Sequence, residues 1–251
     1  MLKISSFFIM FSRKRIFHFC SYLIIFICLI LYVILYSISS KSITINAEEF
    51  KKEGNYSKET ILLFADVAFP YNKIRKWKED IKVEIVKTDR LNETLIFEID
   101  SIINILSPLI YPVKIYRVPE NGNLKVHRKV DSIPISTKNA QGFCYIPPII
   151  KKLSWNIEYA EVYDIWYSPV IFHEIIHAIG LQHPSIEYPF YMKIAGSYNF
   201  YSFEEAEKLY NPLYISEEEK IIIKMLYSPY IKSGLRKEKF IKKMKLYDYD
   251  I

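Results

Sequence analysis

Cysteine is scarce: the 251 residues contain three. Cys20 and Cys28 fall in an apolar stretch near the N-terminus, which leaves Cys144 alone in the rest of the chain. No internal disulfide can brace that remainder, so its stability has to come from a hydrophobic core and any bound metal. Cys144 itself reads as a small buried residue, the other reading being a thiolate that blocks a metal. A basic surplus is missing as well. The formal net charge is +6, but Lys3, Arg13, Lys14 and Arg15 supply four positive charges, with no acid, in the first fifteen residues, leaving +2 on everything after them. A domain so nearly balanced is not a binder of nucleic acid. Internal repeats are absent, and beyond a bias to Ile, Lys and Tyr there is no low-complexity segment.

Formal charge is also absent from Ile16 to Ser40, a run rich in Ile, Leu, Phe and Tyr. A bilayer needs about 20 apolar residues to be crossed, and this run is long enough. The basic residues before it predict a cytoplasmic N-terminus and place the remainder outside, in the periplasm, at the surface or in the medium. The alternative is a cleaved signal peptide and a secreted chain; against it, the run exceeds the usual apolar region of such peptides and no A-x-A-like site follows. The expected organisation is a cytoplasmic basic segment (1–15), a transmembrane signal-anchor (16–40), a polar stalk (41–57), one folded domain (58–234) and a basic tail (235–251). The tail carries Arg236, Lys237, Lys239, Lys242, Lys243 and Lys245 around Phe240, Ile241, Met244 and Leu246. It reads as a solvated or frayed terminal helix, or as an amphipathic helix touching anionic lipid.

Within the domain the hydrophobic pattern alternates between the two periods. Glu59 to Phe69 reads as an apolar helix, Ile81 to Val86 as a strand, and Leu95 to Leu106 as a helix ending before Pro108. Val113–Val118 and Leu124–Val130 flank Asn121-Gly122, a hairpin signal. Gly142–Ile146 and Ile157–Tyr163 are further strands. Ser168 and Pro169 start a helix over the next residues, whose buried stripe is Phe172, Ile175, Ile176 and Ile179. Ser202-Phe203-Glu204-Glu205 and Ser216-Glu217-Glu218-Glu219 are capping boxes opening later helices. The order predicts an α+β domain: a mixed sheet and a backing helix above a cleft, with a mostly helical part below.

Three of the five histidines lie in His173-Glu174-Ile175-Ile176-His177-Ala178-Ile179-Gly180-Leu181-Gln182-His183. Residues four apart stack on a helix, so His173 and His177 can offer both imidazoles to one ion. His183 would be carried away along an unbroken helix, and Gly180 is placed for the bend that returns it, since glycine enters positive φ without steric cost. Glu174 sits one position round from the first ligand, where a general base belongs. Three imidazoles with an open fourth position describe a catalytic zinc rather than a structural one.

The full pattern H-E-x-x-H-x-x-G-x-x-H resembles the signature of the metzincin clan of zinc endopeptidases. Ile215 to Tyr227 is similar to the last helix of matrixin-like domains, and its extension to Gly234 is similar to small bacterial zincin-like domains. The resemblance spans roughly residues 75 to 234 and implies a zincin-like fold with Zn2+ on His173, His177 and His183 and Glu174 as base. It also implies a methionine in a turn below the metal, for which Met192 is the candidate, its other reading being a core gap-filler. Tyr188, Tyr191, Tyr198 and Tyr201 are candidate oxyanion donors.

The expected protein is therefore a membrane-anchored, monomeric zinc endopeptidase that cuts a peptide or protein substrate outside the cytoplasm. A non-catalytic zinc-containing scaffold of the same fold is the alternative. A third reading takes Glu204 or Glu205 as third ligand in place of His183.

Overall fold

The computed structural model describes residues 22–31, 43–86, 93–128, 142–148, 154–164, 170–185 and 213–246. The chain divides into two compact units, Met1–Ser42 and Ile43–Ile251. In the first, residues 22–31 form helix α1, and its apolar side chains are largely exposed, Tyr22 at 72% and Ile24 at 62%. Among the described residues no helix is long and apolar enough to cross a membrane. The rest of the expected span 16–40, and the basic segment before it, lie outside the described residues.

The second unit is a mixed α/β domain. Helices α2 (Ala47–Gly54) and α3 (Lys58–Val67) come first, each opened by a side-chain cap: Asn46 accepts from the Glu49 N–H at 3.4 Å and Ser57 from the Thr60 N–H at 3.1 Å. Next come strands β1 (Lys76–Trp77) and β2 (Ile81–Ile85), helix α4 (Glu93–Leu106), and strands β3 (Ile115–Val118), β4 (Leu124–Arg128), β5 (Gly142–Tyr145), β6 (Asn156–Ile157) and β7 (Ala160–Asp164). Helix α5 (Val170–Ala178) carries the histidine motif, and α6 (Glu217–Tyr227) and α7 (Lys237–Met244) follow it. The expected capping box is formed at α6, where Ser216 and Glu219 each satisfy the other's backbone N–H.

Five strands build the main sheet in the order β3-β2-β4-β7-β5, all parallel except β5, which pairs antiparallel with β7 at the edge. This order corrects the expected hairpin. The strands on either side of Asn121-Gly122 do not pair with each other; both flank β2, and the connection crosses over it. Gly122 is needed for that crossing, since a Cβ there would sit 2.4 Å from the Glu84 Cβ and 2.8 Å from the Lys82 carbonyl oxygen. Asn123 then fastens the crossing to β2, its side chain accepting from the Lys82 N–H at 2.7 Å and donating to the Asp80 carbonyl at 2.9 Å. A turn pair that suits a tight hairpin serves equally where a chain must pass close over a neighbour. The expected strand 157–163 is also divided. Asn156–Ile157 pairs with Lys76–Trp77 in a separate two-stranded sheet, and the chain joins the main sheet only from Ala160.

The domain begins earlier and ends later than the expected 58–234. Residues read as a stalk contribute Ile45 and Phe50 to the core, and residues read as a tail contribute Leu235, Phe240, Met244 and Leu246. Phe50, Phe64, Phe69 and Phe240 form one aromatic cluster with ring centroids 5.3–6.4 Å apart, joining α2, α3 and α7. In α7 the apolar stripe was visible as Phe240 and Met244, four residues apart; it faces the core rather than solvent or lipid. Phe240→Ala should therefore destabilise the fold by about 3–5 kcal/mol. Urea unfolding measures this directly, and a loss under about 0.5 kcal/mol would return α7 to the status of a frayed tail.

Candidate metal centre

Helix α5 is buried on nearly every side, from Val170 to Ala178, so its rotation about its own axis is set by packing against β5 and β7. It ends in a Schellman turn: the Gly180 N–H bonds the His177 carbonyl at 2.9 Å and the Leu181 N–H reaches the Ile176 carbonyl at 3.3 Å. Gly180 has φ +115°, and a Cβ there would lie 2.1 Å from the Arg75 carbonyl oxygen. Two independent constraints thus require glycine at this position. The carbonyls left over at the helix end are satisfied from outside the motif. Ala178 accepts from the Trp77 indole at 2.8 Å and Ile179 from the Tyr227 hydroxyl at 3.0 Å.

Past the turn the chain is tied to the end of α3. The Gln182 N–H bonds the Val67 carbonyl at 2.8 Å, and its side-chain amide bonds the Asp66 carbonyl at 2.9 Å. The buried Asp66 carboxylate accepts from the Ser185 N–H at 2.7 Å and from the Ser185 hydroxyl at 2.8 Å. These bonds bring His183 back beside the helix. His173 Nε2 stands 3.0 Å from His177 Nε2 and 3.2 Å from His183 Nε2. The ligand atoms of all three rings lie within 4.8 Å of one another, a set that can hold a metal ion. The rings grade from buried His173 to exposed His183.

The protonation of the site follows from its burial. Desolvation holds the His177 imidazole well below its ordinary value, at about 4, opposed by its bond to a backbone carbonyl and aided by the charge of a protonated His183. Desolvation lowers His183 as well. At neutral pH both rings are therefore uncharged, the form that binds metal. His177 Nδ1 lies 2.8 Å from the Leu181 carbonyl. Carrying its proton there, it leaves Nε2 as the lone-pair donor facing the other two rings.

Glu174 is buried at 6% exposure on the side of α5 that meets strand β5, where a Cβ added to Gly142 would lie 3.1 Å from its Cγ. Cys144, two residues on in the same strand, has its thiol pushed far up by burial and by the Glu174 charge. It is a neutral thiol at pH 7 and not the thiolate that would occlude a metal. His177 and His183 open onto a cleft of about 960 Å³, whose wall includes Cys144, Tyr145, Tyr71 and Arg75.

His173, His177 and His183 are thus brought together as the spacing predicts, with Gly180 at the bend and Glu174 on the same helix. Met192, Ser168, Pro169, Glu204, Glu205 and the tyrosines at 188, 191, 198 and 201 lie outside the described residues. Sequence reasoning missed Asp66, Trp77 and Tyr227, which hold the turn and the third histidine from distant elements. The lone tryptophan in the basic run Arg75-Lys76-Trp77-Lys78 was the available signal. No protein-family model matches the chain, and no curated protein is significantly similar to it.

Two expectations follow. Asp66→Ala frees the loop that carries His183 and should weaken metal affinity about 10- to 100-fold, read by competition with a chromophoric chelator. In the metal-free chain, unfolding exposes a His177 that binds a proton at about 6.5, whereas the folded ring refuses it down to about 4. The unfolded state then holds more protons in this window, so stability is fully present above pH 6.5 and falls as pH is lowered toward 4, by at most about 3 kcal/mol. Urea midpoints across this range check it; a His177→Asn chain should show a shallower slope.

Proposed function

We propose that the chain is a membrane-anchored zinc metallopeptidase of zincin-like fold, working on a peptide or protein substrate outside the cytoplasm. The observation that carries this reading is the convergence of three imidazole nitrogens at a cleft walled by a sheet edge, with a buried glutamate next to the first histidine on the same helix. Zinc suits the donor set: Zn–N bonds of about 2.0–2.1 Å at tetrahedral angles put coordinated nitrogens about 3.3 Å apart, close to the 3.0 and 3.2 Å found between the Nε2 atoms. His173, His177 and His183 would hold the ion as neutral ligands and leave a fourth position open toward the cleft. When bound, zinc supplies Lewis-acid polarisation of a peptide carbonyl and makes water acidic enough to lose a proton near neutral pH.

The rest is done by the chain's own groups. The Glu174 carboxylate takes a proton from the attacking water and returns it to the departing amine nitrogen. Strand β5 has β7 on one side and, among the described residues, no strand on the other. Its open edge can pair with an extended substrate, fixing the scissile bond by backbone hydrogen bonds whatever the side chains. The layout of mixed sheet, motif helix and following helices is what the metzincin resemblance implies. The exposed apolar surface of α1 supports membrane anchoring through 16–40, and the basic residues before it support a cytoplasmic N-terminus.

The test separates ligand from base. Glu174→Gln should keep its zinc and lose about 10²- to 10⁴-fold in turnover of an unstructured protein, while His183→Ala should lose both zinc and activity. Metal analysis with mass-spectrometric cleavage mapping reads both. A Glu174→Gln chain that cleaves as fast as its parent would falsify the base assignment, and activity that survives full chelation of the parent's metal would remove zinc from the mechanism.

A further inference from the structure

Arg75 is 7% exposed, yet it lines the cleft onto which His177 and His183 open. Its guanidinium donates from Nη2 to the Pro147 carbonyl at 3.1 Å, and its Nε is buried with no hydrogen-bond partner among the described residues. Among the described residues no carboxylate pairs with it; the ionisable neighbour that acts on it is the Tyr71 phenol. Burial pulls its pKa down, the mark of a cation that has lost water without gaining an anion. A guanidinium stays protonated in such a place and has five N–H donors in a planar fork. A buried charge left unpaired is strongly unfavourable, which makes its placement in a cleft wall a demand for an anion brought by the ligand. A bond to one backbone carbonyl answers only one corner of that fork.

We propose that Arg75 is the specificity-determining residue of the cleft, selecting peptides that bring a carboxylate to it. Taking a peptide as the occupant rests on the peptidase reading. The fork matches a carboxylate through two parallel N–H···O bonds, and an acidic side chain or a free C-terminus can supply one. The position of Arg75 is fixed independently of any ligand. Its carbonyl is the atom packed against Gly180, and β1, directly after it, is held by the pairing of Lys76 and Trp77 with β6. The backbone of Arg75 is thus packed against the turn that presents the histidines, which fixes where its side chain starts relative to them.

The experiment uses the full-length chain in detergent micelles, zinc-loaded and bearing Glu174→Gln so that bound peptide is not turned over. Four dansyl hexapeptides of one sequence are titrated, with glutamate or glutamine at the centre and a free or amidated C-terminus. At least one carboxylate form should bind about tenfold or more tighter than the all-amide peptide, and the arm that does so tells the side chain from the C-terminus. Adding Arg75→Met should bring that ratio close to 1, and Arg75→Lys should reduce it several-fold, since the charge remains but the fork is lost. Equal binding of all four peptides to the Arg75 protein overturns the proposal, as does a ratio that persists in the methionine variant. Should that variant fail to fold, an undiminished ratio in Arg75→Lys overturns it instead. Cleavage by the chain with Glu174 intact is scored separately on all four peptides: absence of cleavage of every one counts against the peptidase reading, whereas the binding ratio decides the role of Arg75.

Discussion

The histidine cluster depends on the close passage of one stretch of backbone against one residue, the Arg75 carbonyl against Gly180. A helix carries successive histidines away along its axis, so three imidazoles from eleven consecutive residues can meet only where the helix stops and the chain reverses. Gly180 provides the reversal, and Arg75 occupies the space a side chain would need. The helix end left behind exposes carbonyls in an apolar interior, and these have to be answered. Trp77 and Tyr227 answer them with side-chain donors from β1 and α6. The geometry of the ligands is thereby tied to elements about 100 residues before and 50 residues after the motif, which is how a site without disulfides acquires rigidity.

The sheet supplies the second constraint. Its parallel strands need crossovers, and α4 provides the one between β2 and β3. The next connection is too short for a helix, yet it has to carry the chain from one side of β2 to the other. It does so by pressing Gly122 onto the β2 backbone and borrowing the Asn123 amide as a substitute for ladder bonds. The result sets β4 and β7 in the middle, buried by Val126 and Val162, and leaves β5 as the antiparallel edge beside α5. Edge and motif helix then form two walls of one cleft.

What was legible in the sequence was local. Period and caps located α3, α4, β2 and α6 to within a residue or two, and motif spacing gave the three histidines because their convergence is set by helix geometry plus one glycine. Pairing partners were not legible. Asn121-Gly122 has the same local chemistry in a hairpin and in a crossing, and only the position of β2 distinguishes them. Domain limits failed for a related reason. Residues 43–57 contain few apolar side chains, and a single phenylalanine gives no periodicity, yet Phe50 lies wholly buried between α3 and α7. The contributions of Asp66 and Trp77 are long-range hydrogen bonds, for which no spacing rule exists.

Among the described residues, charge around the cleft is sparse. Desolvation keeps the His177 and His183 imidazoles neutral, and burial together with the Glu174 charge keeps the Cys144 thiol protonated. Among the described residues the charged group in the cleft wall is the Arg75 guanidinium, and Glu174 lies on the motif helix; both are buried, where Coulomb interactions are strong. Neutral ligands would leave a divalent ion its full +2 charge, which a thiolate set would cancel, and that charge would supply the Lewis acidity. The same desolvation that makes the rings poor proton acceptors would leave them as neutral ligands for an ion bound there. A carboxylate close to such an ion but outside its ligand set would accept a proton without adding a charged ligand, which is the role proposed for Glu174.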